Sequence, residues 1–408
     1  MNAGDTAWIL MSSALVMLMV PGLALFYGGM VRRKNALSTI MMSFSLLGLV
    51  GILWVLYGYS LSFGPDAGGI IGKLDWIGLR SVGQAASDVY ASTVPHLAFM
   101  IFQAMFAIIT VALWTGGVVG RMKFSAFLVL ATLWLTLVYS PVAHWVWGGG
   151  WLGELGALDF AGGAVVHINA GMSALALALV LGARKGYKEG EPMEPHNVPM
   201  VVLGAGLLWF GWFGFNAGSA LEAGGLAASA FVATMISAAA AALTWMALGW
   251  FYRRPSALGV ATGVIAGLVA ITPAAGFVDP MAGIPIGIVA SLVCYYCMLL
   301  RTRRGIDESL DVWAVHGMGG IWGALATGIF ASAAVNSAGA DGLLWGNAML
   351  FAKQLAAIGA VAAFAFSATW VLGKIVDVTI GLRVKEDEEI VGLDISQHGE
   401  RAYGGISP

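Results

Sequence analysis

The chain has 408 residues, a net charge of −2 and 57 glycines; 59% of its residues are hydrophobic and only 10% are charged. A soluble domain carries roughly 25% charged residues, so this length reads as a bundle of membrane helices and not as two or three soluble domains. There is no basic stripe for nucleic acid, and no metal or cofactor motif: Cys294-Tyr295-Tyr296-Cys297 lies in an apolar run, where two small residues simply pack within a helix.

Each crossing needs about 20 apolar residues. Eleven segments meet that need, at approximately 7–31, 38–63, 96–119, 124–147, 162–182, 198–220, 225–251, 257–277, 282–300, 311–333 and 346–377. Met1 to Asp5 lack a basic region, so the first segment is expected to be a retained membrane helix and not a secretory signal. Alternate connections are basic. One set carries Arg32, Arg33 and Lys34; Arg121 and Lys123; Arg184, Lys185 and Lys188; Arg253 and Arg254; Arg301, Arg303 and Arg304; and Arg383, Lys385 and Arg401, whereas the other carries only Lys73 and Arg80. The positive-inside rule then places the N-terminus outside and the tail from about residue 378 in the cytoplasm of a cell-membrane protein. The two longest loops are 64–95, outside, and 183–197, inside; the glycines and alanines that crowd the segments suit close helix packing.

Two histidines stand in similar apolar contexts, Val165-Val166-His167-Ile168-Asn169-Ala170-Gly171 and Ala314-Val315-His316-Gly317-Met318-Gly319-Gly320, with Asp159 ahead of the first and Asp311 ahead of the second. An ionisable group in hydrocarbon is costly and marks a functional site. The eleven spans divide as five, five and one. The histidines fall in spans five and ten, and an odd number of helices per unit inverts the second copy. The expected fold is therefore an all-α polytopic membrane protein, with a 5+5 inverted repeat plus one C-terminal helix. Its transporter domain is 1–378, with repeat one at about 7–182, repeat two at about 198–333 and the extra helix at about 346–377; the cytoplasmic tail is 379–408. Both histidines are nearer their helix starts than the midplane. For them to meet, the helices must tilt strongly or begin within the membrane. No third ligand accompanies them, and a neutral pair can share one N–H···N bond.

Asp159 begins span five, as a helix N-cap and as a fixed negative charge favouring a cation. Trp145 and Trp147 end span four. Phe102, Gln103 and Phe106 lie in span three, and Trp209, Phe210, Trp212, Phe213 and Phe215 precede Asn216-Ala217-Gly218-Ser219 in span six. Aromatic faces around one hydroxyl can hold a small cation.

Asp159-Phe160-Ala161-Gly162-Gly163 running into Val166-His167-Ile168-Asn169-Ala170, with Gly211-Trp212-Phe213-Gly214-Phe215-Asn216-Ala217-Gly218-Ser219, resembles the ammonium transporter (Amt/Mep/Rh) family over essentially the whole chain. The tail Gly381-Leu382-Arg383-Val384, Gly392-Leu393-Asp394 and His398-Gly399-Glu400 resembles the microbial branch. The resemblance implies a homotrimer with one pore per subunit. It implies an outer cation site at Phe106, Trp147 and Ser219, a phenyl gate at Phe106 and Phe215, and a pore pair at His167 and His316 beside Trp212. Ammonium, ammonia and methylammonium are the implied substrates. The implied cycle is capture of ammonium, its deprotonation near the gate and passage of ammonia, with the proton moving separately along the histidines or staying outside. A PII-type signalling protein is the implied partner of the tail. An ammonium sensor and a Rhesus-type gas channel are the other readings. The chain's end at Pro408 argues against a fused sensor domain, and the absence of a nucleophile–base constellation argues against an enzyme. The tail's Lys385-Glu386-Asp387-Glu388-Glu389 is too charged for lipid, while Val384, Ile390, Val391, Leu393 and Ile395 offer apolar positions to pack.

Overall fold

The computed structural model describes residues 1–87, 89–252 and 254–404. Arg253 and the last four tail residues, counted in the expectations above, lie outside the described residues. Among the described residues nine helices are long and apolar enough to cross a membrane: α1 (Ala3–Met30), α2 (Arg33–Phe63), α3 (His96–Gly117), α4 (Phe124–Leu155, interrupted at 148–150), α5 (Gly163–Leu181), α6 (Val198–Gly218), α7 (Gly225–Tyr252), α9 (Pro280–Arg303) and α11 (Ala348–Ile380). Two shorter apolar helices, α8 (Ala257–Ile271) and α10 (313–330), fall in the remaining expected segments. Helix α8 stops short of its expected end at Pro273, which has no backbone N–H to continue the helical ladder. The only strands among the described residues are two short antiparallel hairpins in loop 64–95, Asp66–Ala67 with Ile71–Gly72 and Ala86–Ser87 with Ala91–Pro95.

Burial separates central helices from peripheral ones. In the most apolar stretch of each, α3 is 89% buried and α5 78%, whereas α2, α9 and α11 are 33% buried. Helices α3 and α5 are therefore enclosed by their neighbours, and α2, α9 and α11 keep a wide apolar face outward. The most extensive pairing is α1 along α6.

Helices α5 and α10 begin below the protein surface. Ala161 ahead of α5, and Asp307, Glu308 and Val312 ahead of α10, are buried. Each helix opens with a π-turn, Gly163–Ile168 and Trp313–Gly317, and each π-turn contains one of the histidines. A π-turn inserts a residue into the helix and recurs at functional sites. A Cβ on Gly171 would run into the backbone of Gly317, and one on Gly320 would lie 3.0 Å from the carbonyl oxygen of Gly163 and from the His167 Cβ. Two bare backbones therefore let α5 and α10 cross in contact. This resolves how residues so near their own helix starts can meet.

The tail folds back in two short helices, α12 (Glu386–Val391) and α13 (Leu393–His398). The backbone N–H of Val384 donates to Arg121 (3.0 Å), and that of Lys123 donates to Leu382 (2.8 Å). Asp394 accepts the Ser38 N–H at the start of α2, and the Tyr403 ring packs under Arg33 with its hydroxyl against His196 and Asn197. Val384 and Leu393 are buried, as expected of packing positions; Ile390, Val391 and Ile395 are exposed.

Candidate functional site

The sequence-picked residues form a line of rings through the centre of the bundle. Trp147, at the end of α4, meets the edge of Phe106 of α3 with centroids 5.8 Å apart and an 89° angle. Phe106 lies against Phe215 of α6 at 4.3 Å. Phe215 stacks on His167 at 6.1 Å and 19°, and His167 meets His316 at 5.3 Å. The Nδ1 atoms of the two histidines are 3.2 Å apart, so one donates and the other accepts, and the two rings carry opposite tautomers. Trp212 lies against both His167 (5.5 Å) and Phe215 (5.4 Å) and is itself fixed by a 2.9 Å bond from its indole N–H to Thr272 Oγ1.

Ser219 sits one turn beyond Phe215 on α6, where its hydroxyl donates to the Phe215 carbonyl (2.8 Å) and keeps lone pairs free to accept. The Trp147 indole N–H donates to the Asp159 carbonyl oxygen at 2.8 Å. The carboxylate of Asp159 is taken up by the start of α5. Oδ1 accepts from Gly162 (2.9 Å) and Gly163 (2.5 Å), and Oδ2 accepts from Ala164 (2.8 Å) and Val165 (3.1 Å). These are four donors that a helix start leaves orphaned. Asp159 thus acts on the site through backbone geometry, holding both the π-turn of His167 and the indole of Trp147.

Of the aromatic run in α6, only Trp212 and Phe215 join the ring line: Phe213 stacks on Phe231 at 3.9 Å and Phe210 is exposed. Trp145 packs on Phe364 and bonds Ile70, away from the line. A small cavity of about 10 Å³ touches both histidines and is otherwise walled by apolar and aromatic residues such as Leu208, Ile265 and Phe215. A second, of about 30 Å³, continues past His316 between Phe26, Tyr27, Thr262 and Asp311.

The acid that corresponds to Asp159 in the second half is not Asp311. Asp159 is eight residues before His167, and Glu308 is eight before His316. Glu308 accepts the Trp313 N–H at 3.2 Å at the start of α10. Asp311 has a left-handed backbone (φ 60°) and pairs with Arg301 at 2.8 Å. Equal spacing to each histidine was the signal that could have found Glu308. Tyr27 and Thr272, one residue among many polar ones in apolar helices, carried no such signal.

The profile of the Ammonium Transporter Family matches residues 7–403. The chain belongs to the ammonium transporter family. It is 54% identical to Ammonium transporter Amt1 of Archaeoglobus fulgidus over 99% of this chain and 100% of that one, and 53% identical to an ammonium transporter of Bacillus subtilis over 99% of each. Among solved structures it is similar to Mep2 of Saccharomyces cerevisiae, with 38% identity and a TM-score of 0.89 over 95% of this chain and 89% of that chain. It is also similar to a protein described as Sensor Amt Protein, with 27% identity and a TM-score of 0.88 over 97% and 98%. As a member of this family the chain is a multi-pass membrane ammonium transporter, and the microbial branch expected from its tail motifs agrees with its archaeal and bacterial relatives.

Proposed function

We propose that this transporter captures ammonium at its outer end on Phe106, Trp147 and Ser219, with Asp159 holding the wall of that site. Ammonium loses its proton at the Phe106–Phe215 gate, and ammonia passes His167 and His316 beside Trp212. The observation that carries the reading is the unbroken ring line from Trp147 to His316, with an apolar wall around the two histidines, which among the described residues are the only ionisable side chains lining the first cavity behind the gate. A bare cation there faces a desolvation cost on the order of tens of kcal/mol. Cation–π attraction at the mouth returns roughly 0.5–2 kcal/mol, enough to gather ammonium but not to carry it through. Ammonia loses only hydrogen bonds. Potassium has no proton to give up and finds no ring of carbonyls to replace its water. The proton follows separately along the histidine pair, whose opposite tautomers allow it to be handed across.

The membrane arrangement belongs to the same reading. Helices α1 to α11 are eleven spans, built as a 5+5 inverted repeat with α11 appended, with the N-terminus outside a cell membrane and the tail in the cytoplasm. Residues 1–378 are the transporter domain and 379–408 a regulatory tail. The exposed Ile390, Val391 and Ile395 face a neighbouring subunit of a homotrimer, and the tail offers a docking place to a PII-type protein. The test uses purified protein in vesicles. An ammonium or methylammonium pulse evokes a current and potassium does not. His167→Asp puts a carboxylate beside the permeating species, lowers the cost of a cation and lets potassium through. A His167→Asp protein as selective as the parent removes the pair from the filter.

A further inference from the structure

His144 lies in α4, three residues before Trp147, with its side chain wholly buried. Its Nδ1 is 3.0 Å from the Ser62 carbonyl oxygen and its Nε2 is 2.8 Å from Asp66 Oδ1. A carbonyl oxygen only accepts, and so does an ionised carboxylate. A neutral imidazole has a single N–H. Making both bonds therefore takes a second ring proton, provided Asp66 is ionised. Asp66 meets that condition. Its side chain is 41% exposed, it accepts the Gly69 N–H on both oxygens (2.8 and 3.0 Å), and the His144 bond, ahead of every other contact, holds its carboxyl below the usual range.

The ring is built into the turn that carries Trp147. The His144 carbonyl accepts from Gly148 (3.0 Å) and Gly150 (2.9 Å). The facing hairpin is laced to the same turn by bonds from the Trp145 indole to Ile70 (2.9 Å) and from the Trp151 N–H to Gly69 (3.1 Å). Elements packed around this end of α4 bring Tyr59, Tyr139, His167 and the exposed Glu154, and Tyr90 reaches the Gly148 carbonyl. Among the described residues Asp66 alone of these titratable groups bonds the His144 ring.

We propose that His144 and Asp66 form a proton-held staple that positions Trp147, so that ammonium capture weakens as the outer solution becomes alkaline. This rests on the reading of Trp147 as a wall of the capture site. While the ring holds both protons it ties Ser62 and Asp66 to α4. When the second proton leaves, one donor serves two acceptors, one tie is lost and the Trp147 turn loosens. Asp66→Asn separates charge from geometry. The amide N–H₂ can donate to Nε2 while Nδ1–H donates to Ser62, so a neutral ring keeps both bonds.

Two measurements on the full-length protein decide it, each run from about pH 5.5 to about pH 8. The first is hydrogen-exchange protection of the Gly148 and Gly150 amides without ammonium, corrected for the intrinsic pH dependence of exchange. The second is apparent ammonium affinity from the evoked current. In the parent, protection falls towards alkaline pH and affinity falls about fivefold, the size of one lost hydrogen bond. Asp66→Asn is flat in both, and so is His144→Gln, which has no ring to titrate. Flat protection in the parent, or an Asp66→Asn profile that follows the parent's, overturns the staple. Protection that changes while affinity does not overturns the positioning of a capture wall, and locates the failure in the reading of Trp147.

Discussion

Asp159 at the start of α5 accepts four backbone N–H groups with its two oxygens, whereas Glu308 at the start of α10 accepts the Trp313 N–H on Oε2 and leaves Oε1 without a partner among the described residues. The same device, a carboxylate at the head of a histidine-bearing helix, is thus built in two strengths. On the orientation proposed above, the outer one is saturated and fixes His167 and Trp147 together. The inner one is loose, and it sits between two anchored neighbours. Arg184 makes a paired bond to the Asp307 carboxylate (2.7 and 2.9 Å), and Arg121 bonds the Asp307 carbonyl (2.7 Å) and the Ser309 hydroxyl (2.7 Å). Arg121 in turn receives Val384 of the tail, and Glu389 of the tail bonds Arg383 and the Lys185 backbone. The outer cap is an internal matter of α5. The inner cap is mounted on a lattice of hydrogen bonds that includes the tail. A change in the tail therefore has a physical route to the head of the His316 helix, whereas its bond to the His167 helix, from Arg383 to the Leu181 carbonyl, is at that helix's far end.

The largest effect that separates the caps is their removal. Asp159→Ala orphans four donors whose residues are buried. At about 1 kcal/mol each the loss is on the order of 4 kcal/mol. Glu308→Ala removes an ordinary helix cap, about 1 kcal/mol. The unfolding midpoint of each variant in detergent measures the difference, and equal losses would erase the distinction between a saturated and a loose cap.

Truncation after Gly381 is the next test. It removes the Val384–Arg121 and Glu389 contacts and leaves the outer cap untouched. Amide protection across 307–317 should drop about tenfold, the loss of one or two hydrogen bonds, while 159–167 keeps its protection and the protein still inserts. A drop of equal size at both caps would mean that the tail acts on the whole fold and not through the inner one.

How much of this was legible beforehand differs between the same regions. Apolar length located the nine helices long enough to cross a membrane, because hydrocarbon thickness is a coarse and strict requirement, and the histidines stood out because an ionisable side chain in an apolar helix is rare and costly. The contact between His167 and His316 was not, since spacing along a helix says nothing of where the helix begins in depth. That depended on two π-turns and on the glycine pair Gly171 and Gly317, which look like ordinary packing glycines in a chain so rich in them. Asp311 drew attention over Glu308 because it stands nearer its histidine, although the pairing of a carboxylate with a helix head depends on reach across the first turn. In the tail, apolar character alone marked five positions as able to pack. Docking of the short helices buried Val384 and Leu393 and turned Ile390, Val391 and Ile395 outward.

The smallest and most local difference between the caps is titration. Glu308, in the connection between α9 and α10, is pushed up to about 7, first by burial and then by the nearby Asp311 charge, against the opposing pull of Arg301. The folded protein therefore holds a proton that the unfolded chain releases at lower pH. Stability from this site is complete below the usual carboxylate range and is lost as pH rises through about 7. Glu308→Gln keeps an oxygen for the Trp313 N–H and is neutral at every pH. The variant should match the parent in acid and become relatively more stable towards pH 7 and above, read as the difference between their unfolding midpoints in detergent across that range. Curves that stay parallel would show that Glu308 is ionised throughout. The inner cap would then be a charged carboxylate like the outer one, and the two helix heads would differ only in how many hydrogen bonds they make.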